Sequence, residues 1–337
     1  MVNKQFDFFQ NKTILITGAA GSIGAKLSEK IISSGVKQLI LLDNAESPLY
    51  DLQQELLIAG YNNFEIIIAD IRHDDTIKQV FERFQIDIVF HAAAYKHVPL
   101  MEKFPHQAIQ TNVLGTKIIA DLSIKYGIDK FIFISTDKAV NPASIMGASK
   151  CLAENYLRGL QSTETSFIIT RFGNVVASNG SVIPLFKKQI EKGGPVTVTH
   201  KDVQRFFMTF DHATHLVLEA CIIGSDDHTF VFEMGSPVKI LNIADELIKE
   251  SGRDDLEIDI VGLRPGEKIE EELFNTNETP VKTSVDNILL AQTDQKGVSL
   301  DNILQLLNDF STLSRDHIIE RIHQILPQYI PNNSIPR

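Results

Sequence analysis

The chain has 337 residues, enough for one large domain or two modest ones with a buried core. An apolar fraction of 43% and a charged fraction of 22% are ordinary for a soluble globular protein. A formal net charge of −11 argues against a nucleic-acid partner, because no basic surplus exists to displace counterions, while leaving room for a local basic pocket. The two cysteines, Cys151 and Cys221, have no metal-type spacing, so neither a disulfide framework nor a zinc or other metal site is expected. Met1 to Gln10 has no apolar signal core, and no apolar run reaches the roughly 18–20 residues of a membrane span. A cytoplasmic protein with no membrane span is expected.

Thr13 to Thr17 is β-branched and predicts a strand. Gly18-Ala-Ala-Gly21-Ser22-Ile23-Gly24 follows at once, and helix periodicity continues through Leu27, Ile31 and Ile32. Strand, glycine turn and helix in that order let backbone amides approach a pyrophosphate at a helix N-terminus. The second strand, Gln38 to Leu42, ends in Asp43, nineteen residues after Gly24. A carboxylate there accepts from adenosine ribose hydroxyls and repels a 2′-phosphate, which favours NAD over NADP. Phe64 to Ala69 predicts a third strand ending in Asp70-Ile71, and Asp87 to Phe90 a fourth leading into His91-Ala92-Ala93-Ala94. Tyr95, Lys96 and His97 come next, either a polar loop or a substrate-facing one. Asn112 sits in a predicted helix, Gln107 to Tyr126.

Phe131 to Ile134 predicts a buried fifth strand, which ends in Ser135, Thr136, Asp137 and Lys138. Asn141-Pro142 turns the chain, and a helix pattern from about Ile145 carries Met146 and Lys150 on its first turns. Ligands of open parallel sheets bind beyond the carboxyl ends of the strands, where this cluster falls. Phe167 to Thr170 predicts the sixth strand, closed by Arg171-Phe172-Gly173-Asn174-Val175. The regular alternation to this point predicts an α/β fold with a doubly wound, Rossmann-type parallel sheet. From Ser178 the regularity stops, which predicts a smaller C-terminal mixed α/β substrate lobe. A helical stretch at about Phe207 to Gly224 is expected to return to the first lobe. Leu263-Arg264-Pro265-Gly266-Glu267-Lys268 precedes an acidic helix start, Glu270 to Glu272. Arg264 suits a bidentate clamp on a diphosphate, and Glu267 an acceptor for ribose hydroxyls. Two amphipathic helices, Leu300 to Phe310 and His317 to Leu326, end the chain as a structural element or an oligomer contact.

Five segments together resemble the bacterial UDP-N-acetylglucosamine 4,6-dehydratases of the extended short-chain dehydrogenase/reductase superfamily. They are Thr-Gly-Ala-Ala-Gly-Ser-Ile-Gly, His-Ala-Ala-Ala-Tyr-Lys-His-Val-Pro, Ser-Thr-Asp-Lys-Ala-Val-Asn-Pro, Arg-Phe-Gly-Asn-Val and Gly-Leu-Arg-Pro-Gly-Glu-Lys. The resemblance covers about residues 11 to 292. Its C5-configuration-retaining branch fits best, through Met146, the Gly180 to Phe186 run containing Ser181, and Pro195 to Thr199 followed by Arg205. Short-chain dehydrogenases carry a tyrosine base where this chain has Met146. Many relatives also have an N-terminal membrane region, and the chain resembles their catalytic part.

The resemblance implies an NAD-binding Rossmann domain at 11–177 with a returning segment at about 207–224, a substrate lobe at 178–292 and a helical tail at 293–337. It implies a homo-oligomer, a dimer or higher. NAD would meet Gly18, Gly21, Ser22, Ile23, Gly24, Asp43, Asp70, Ile71, Ala92, Ala93, Ala94 and Lys150. Asn112 would hold backbone and water at the active site. The sugar would be oxidised at C4, lose water across C5 and C6, and take the hydride back at C6. Lys138, if neutral, would remove the C5 proton, and Asp137, if protonated, would donate to the departing C6 hydroxyl. A pocket of low dielectric favours those states by depressing the lysine pKa and raising that of the aspartic acid. Thr136 would take the C4 hydroxyl proton in place of Met146, with Lys150 lowering the local pKa. Lys96 and His97 would face the substrate, as would Ser181. Asn174 and Arg264 would meet the diphosphate, Arg205 and Glu267 the nucleoside end, and Val196 and Val198 the base. Three alternatives share these features: a GDP-N-acetylglucosamine 4,6-dehydratase, a nucleotide-sugar 4-epimerase or net dehydrogenase, and a non-catalytic NAD- or sugar-binding regulator.

Overall fold

The computed structural model describes residues 4–160, 164–178, 180–225, 228–294 and 297–332. Nine strands form the main sheet, labelled here in chain order. They are β1 (Thr13–Thr17), β2 (Gln38–Asp43), β3 (Phe64–Ile68), β4 (Ile88–His91), β5 (Lys130–Ile134), β6 (Ser166–Arg171), β7 (Thr229–Phe232), β8 (Thr279–Lys282) and β9 (Ile288–Gln292). Their spatial order is β8-β9-β7-β6-β5-β4-β1-β2-β3. β1 to β7 are mutually parallel, and β9 and β8 add an antiparallel edge. The central strands are apolar along their whole length because helices cover both faces. One core lies on each face, with Leu15, Val89, Phe131 and Phe133 on one side and Ile14, Ile16, Phe90 and Ile132 on the other. The order reverses between β4 and β1, which opens a crevice at their carboxyl ends.

The residues of 178–292 are divided between two cores. The Phe210–Ile223 helix packs on the main sheet, and β7, β8 and β9 belong to that sheet too. The smaller lobe is built from the Val182–Glu191 and Ile240–Glu250 helices and two short strand pairs. Val196–Val198 pairs in parallel with Ile258–Ile260, and Gln204–Arg205 pairs antiparallel with Val238–Lys239. Phe186, Ile190, Val196, Val198, Ile240, Ala244 and Ile248 form its own core. The acidic helix start expected at Glu270 to Glu272 is not a helix but irregular chain. These carboxylates answer to tertiary partners instead, among them Arg205 and Lys138 for Glu271.

The two terminal helices, Leu300–Asp309 and Arg315–Ile325, bury Ile303, Leu306, Ile318 and Ile322 against the first core. Beyond them, the Ile330 and Asn332 amides donate to the Pro142 and Ala143 carbonyls, and Asn332 O accepts from Gly266 N. The tail therefore joins the turn before the Ile145–Gly159 helix to the Arg264–Lys268 turn. Among the described residues no helix is long and apolar enough to cross a membrane.

Candidate active site

The crevice at β1 and β4 is shaped by close backbone approach. Gly18 has φ +68°, and an added Cβ would lie 2.6 Å from Ala93 N. At Gly24 a Cβ would lie 2.1 Å from the Gly18 carbonyl oxygen, so the first turn of the Ser22–Ile32 helix packs directly on the β1 turn. No side chain caps this helix at Gly21, and its first turn lines a cavity, where the positive end of the helix dipole favours an anion. Asp43, at the end of β2, accepts from Ala20 N through Oδ2 and from Ala45 N through Oδ1, both at 3.0 Å. Beside it lies a cavity of about 240 Å³ lined by Gly18, Gly21, Asp43, Asp70, Ile71 and Ala92 to Ala94. Arg72 forks onto Asp70 through Nε and Nη2, and these bonds hold the carboxyl below its ordinary range.

Behind the crevice wall, Ile109–Gly115 is a π-helical stretch inside the predicted Gln107 to Tyr126 helix. Asn112 there is fully buried. Its Oδ1 accepts from Tyr95 N at 2.8 Å, and its Nδ2 donates to Tyr95 O and Ser149 Oγ. It thereby fixes the loop that carries Lys96 and His97. His91 bridges Thr17 Oγ1 and Thr116 Oγ1, and burial pushes its pKa down to about 3, so it stays neutral.

A second cavity, of about 840 Å³, runs from the glycine turn to the small lobe. Gly18, Gly21, Ser22, Ile23, Gly24, Ala92 and Ala94 line one end; Thr136, Lys138, Met146 and Lys150 line the middle. Lys96, His97, Asn174, Ser181, Val198, Arg205, Arg264 and Glu267 line the remainder. Besides Asp43, Asp70, Ile71 and Asn112, already placed, three further expected residues lie elsewhere. Ala93 faces the smaller cavity, Val196 is fully buried in the small-lobe core, and Asp137 lies behind the wall with no exposed side-chain surface.

Lys150 Nζ donates to Ile134 O at 2.7 Å and sits 3.7 Å from the Phe133 ring centroid. Burial pulls its pKa down to about 7. The unfolded lysine keeps its proton up to about 10.5, so between pH 7 and 10.5 the unfolded state binds more protons. Wild-type stability should therefore rise relative to Lys150→Met across that window, which paired thermal melts from pH 6 to 10.5 would measure. Parallel melting curves would contradict it.

Lys138 Nζ donates to Asp137 Oδ1 at 3.0 Å and to Asn174 Oδ1 at 3.1 Å, and lies 3.5 Å from Glu271 Oε1. Burial pulls its pKa down, but Asp137 and Glu271 outweigh burial and hold it above the ordinary lysine value. This is opposite to the depression expected from a low-dielectric pocket, because the pocket brings its own carboxylates. Burial lowers the pKa of Lys96, and burial with Lys96 lowers that of His97.

Arg205 spends its guanidinium on backbone carbonyls, Gln204 O and Ile269 O from Nη1 and Lys268 O from Nη2. It pins the Lys268–Ile269 strand of chain to the cavity wall. Glu267 accepts from Thr199 Oγ1 and from Arg264 N, so the Arg264 turn is tied to the small lobe. Glu271 was not singled out from sequence, since a run of three glutamates reads as a solvated helix start. Glu102 was missed as well; its Oε1 accepts from Ile145 N and caps the helix that carries Lys150.

The model of a polysaccharide biosynthesis protein family matches residues 14–293, and the chain belongs to that family. It is 46% identical over 290 residues to the capsular polysaccharide biosynthesis protein CapD of Staphylococcus aureus, covering 84% of this chain and 48% of CapD. The chain thus spans about half the length of that relative. It is 36% identical over 279 residues to a UDP-glucose 4-epimerase of Rickettsia rickettsii, covering 80% of each. Among solved structures, Pen from Bacillus thuringiensis superposes with a TM-score of 0.79 at 31% identity, covering 89% of this chain and 98% of that one. DesIV from Streptomyces venezuelae, a dTDP-glucose 4,6-dehydratase solved with NAD and TYD bound, shares the fold. Its TM-score is 0.66 at 20% identity, covering 75% of this chain and 85% of that one.

Proposed function

We propose that the chain is an NAD-dependent nucleotide-sugar 4,6-dehydratase that acts on UDP-N-acetylglucosamine for a bacterial surface polysaccharide. The observation that carries this reading is one cavity holding both a glycine cradle and the Thr136–Lys138 turn. The cradle suits a dinucleotide: at Gly18 and Gly24 the backbone packs too closely for any side chain, which sets the start of the Ser22–Ile32 helix at the cavity wall. Asp43 and the Asp70–Ile71 pair suit its adenosine end. When bound, NAD supplies a reversible hydride acceptor. Lys150 sits with its ammonium group beside the β5 carboxyl end, suited to a ribose hydroxyl. Met146 lines the cavity and carries no proton. Thr136 donates its hydroxyl proton to Asp137 Oδ1 at 2.9 Å, which leaves its oxygen as an acceptor for a sugar hydroxyl. DesIV supports the dehydratase chemistry, and CapD the pathway class.

The test is purified protein loaded with NAD and given UDP-N-acetylglucosamine, read by mass spectrometry and NMR. Loss of one water with a 4-keto-6-deoxy product is expected. No loss from the UDP sugar but loss from GDP-N-acetylglucosamine reassigns the base. Unchanged mass with inverted C4 supports the second reading, a 4-epimerase, which the Rickettsia relative favours.

A further inference from the structure

Asp137 and Lys138 adjoin in sequence but meet the cavity unequally. Lys138 and Glu271 line it, and Asp137 does not. Asp137 Oδ1 accepts from Thr136 Oγ1 and Lys138 Nζ. Its Oδ2 is buried beneath Gly173, where an added Cβ would lie 3.0 Å away, and it too has no hydrogen-bond partner among the described residues. Glu271 arrives from the other side. Its Oε1 lies 3.5 Å from Lys138 Nζ and 3.6 Å from Arg205 Nε. Its Oε2 is buried with no hydrogen-bond partner among the described residues. A buried carboxylate oxygen left unpaired is costly; of these two, the one on Glu271 belongs to a residue that lines the cavity, so it is the one that points to a ligand.

Three oxygens surround Lys138 Nζ: Asp137 Oδ1, Asn174 Oδ1 and Glu271 Oε1. An ammonium offers three N–H groups to them, whereas a neutral amine would aim its lone pair at one. The charged groups facing Lys138 are Asp137, Glu271 and Arg205, while Lys96, His97, Lys150, Glu267 and Lys268 line the same cavity.

We propose that Glu271 and Lys138 form the proton-transfer pair of this cavity, with Glu271 the base and the Lys138 ammonium the acid, and that Asp137 positions Lys138. This rests on the dehydratase reading. Once C4 is a ketone, Glu271 Oε2 takes the C5 proton. The C5–C6 double bond forms as the C6–O bond breaks, and Lys138 protonates the oxygen, which leaves as water. Glu271 then returns its proton to C5, while the two electrons removed from C4 return to C6 as hydride, carried by the dinucleotide of that reading. The proton lost from the C4 hydroxyl restores the ammonium, so the cycle balances as loss of one water.

The test follows C5 hydrogen exchange and water release by NMR in heavy water, using the NAD-loaded protein and UDP-N-acetylglucosamine. Glu271→Gln should lose both by about 100-fold or more. Lys138→Met should lose water release yet keep C5 exchange. Near-wild-type exchange in Glu271→Gln, or its abolition in Lys138→Met, overturns the assignment, as does Asp137→Asn abolishing exchange that Glu271→Gln spares. A separate readout titrates Lys138 in protein with isotope-labelled lysine, its resonance assigned by its absence from Lys138→Met. Glu271→Gln should lower that pKa by about one unit or more. An unchanged value overturns the pairing. If the wild-type chain releases no water from any nucleotide hexose, the dehydratase reading falls, and the titration still decides whether Glu271 holds Lys138.

Discussion

Lys138→Ala is expected to cut water release by about 10²–10⁴-fold, the usual contribution of a positioned acid or base. NAD binding should survive, because the glycine cradle at Gly18 to Gly24 makes its contacts with Ala93 and with its own turn. The effect should fall on kcat more than on KM, since the Lys138 ammonium is the group the proposed elimination uses. Removing the ammonium also strands Asp137, whose side chain has no exposed surface, so some stability is lost as well. The double variant Asp137→Asn/Lys138→Ala removes that stranded charge. If it regains stability without activity, the loss is chemical. A 4-epimerase would have no elimination step, so Lys138→Ala turning over a sugar at the wild-type rate with its mass unchanged would sink the dehydratase reading.

What could be read from the sequence was what local pattern carries. Apolar runs at Thr13, Gln38 and Phe131 marked strands, because a buried parallel strand must be apolar on both faces. The spacing of Gly18, Gly21 and Gly24 marked a backbone approach that admits no side chain, and the clashes at Ala93 and Gly18 are its physical content. The residues that pair across long sequence gaps left no such mark. Glu271 reaches Lys138 from a segment with neither helical nor strand period, and its two neighbouring glutamates disguised it as surface. β8 and β9 were assigned to the wrong lobe for a related reason. A short antiparallel edge strand does not announce which sheet it will join, and Val281 and Leu290 pair there by register alone. Val196 and Val198, two apart on one strand, face the same small-lobe core as the period of two requires, yet only Val198 lies at the cavity, a difference in position along the strand that the pattern does not show.

The largest expected loss of stability is at Arg171, which sequence reading passed over as the end of a strand. It is 1% exposed, yet it bonds two carboxylates. Its Nη2 and Nε hold Glu154, and its Nη1 holds Glu278 at 2.7 Å. Ser135 Oγ donates to the same Glu154 at 2.5 Å. This network joins β6, the Lys150 helix, the segment before β8 and the strand end that leads into Thr136. Arg171→Met should cost about 3–5 kcal/mol in urea denaturation, because it leaves two buried carboxylates with Arg158 as their remaining cation among the described residues. Burial pushes Glu154 up, but Arg171 and Arg158 outweigh it and hold the carboxyl below its ordinary range; Glu278 behaves the same way. Depressed carboxylates contribute stability above their unfolded pKa, about 4.5, and lose it as pH falls through the folded values. The wild type should therefore weaken on acidification more steeply than Arg171→Met, whose carboxylates have lost their cation. Adding Glu154→Gln and Glu278→Gln to Arg171→Met should recover part of the loss, since no buried carboxylate is then left uncompensated and only the partly exposed Arg158 loses its partners. A single variant as stable as wild type at pH 7 would mean that water reaches this network and that its charges are not held by burial.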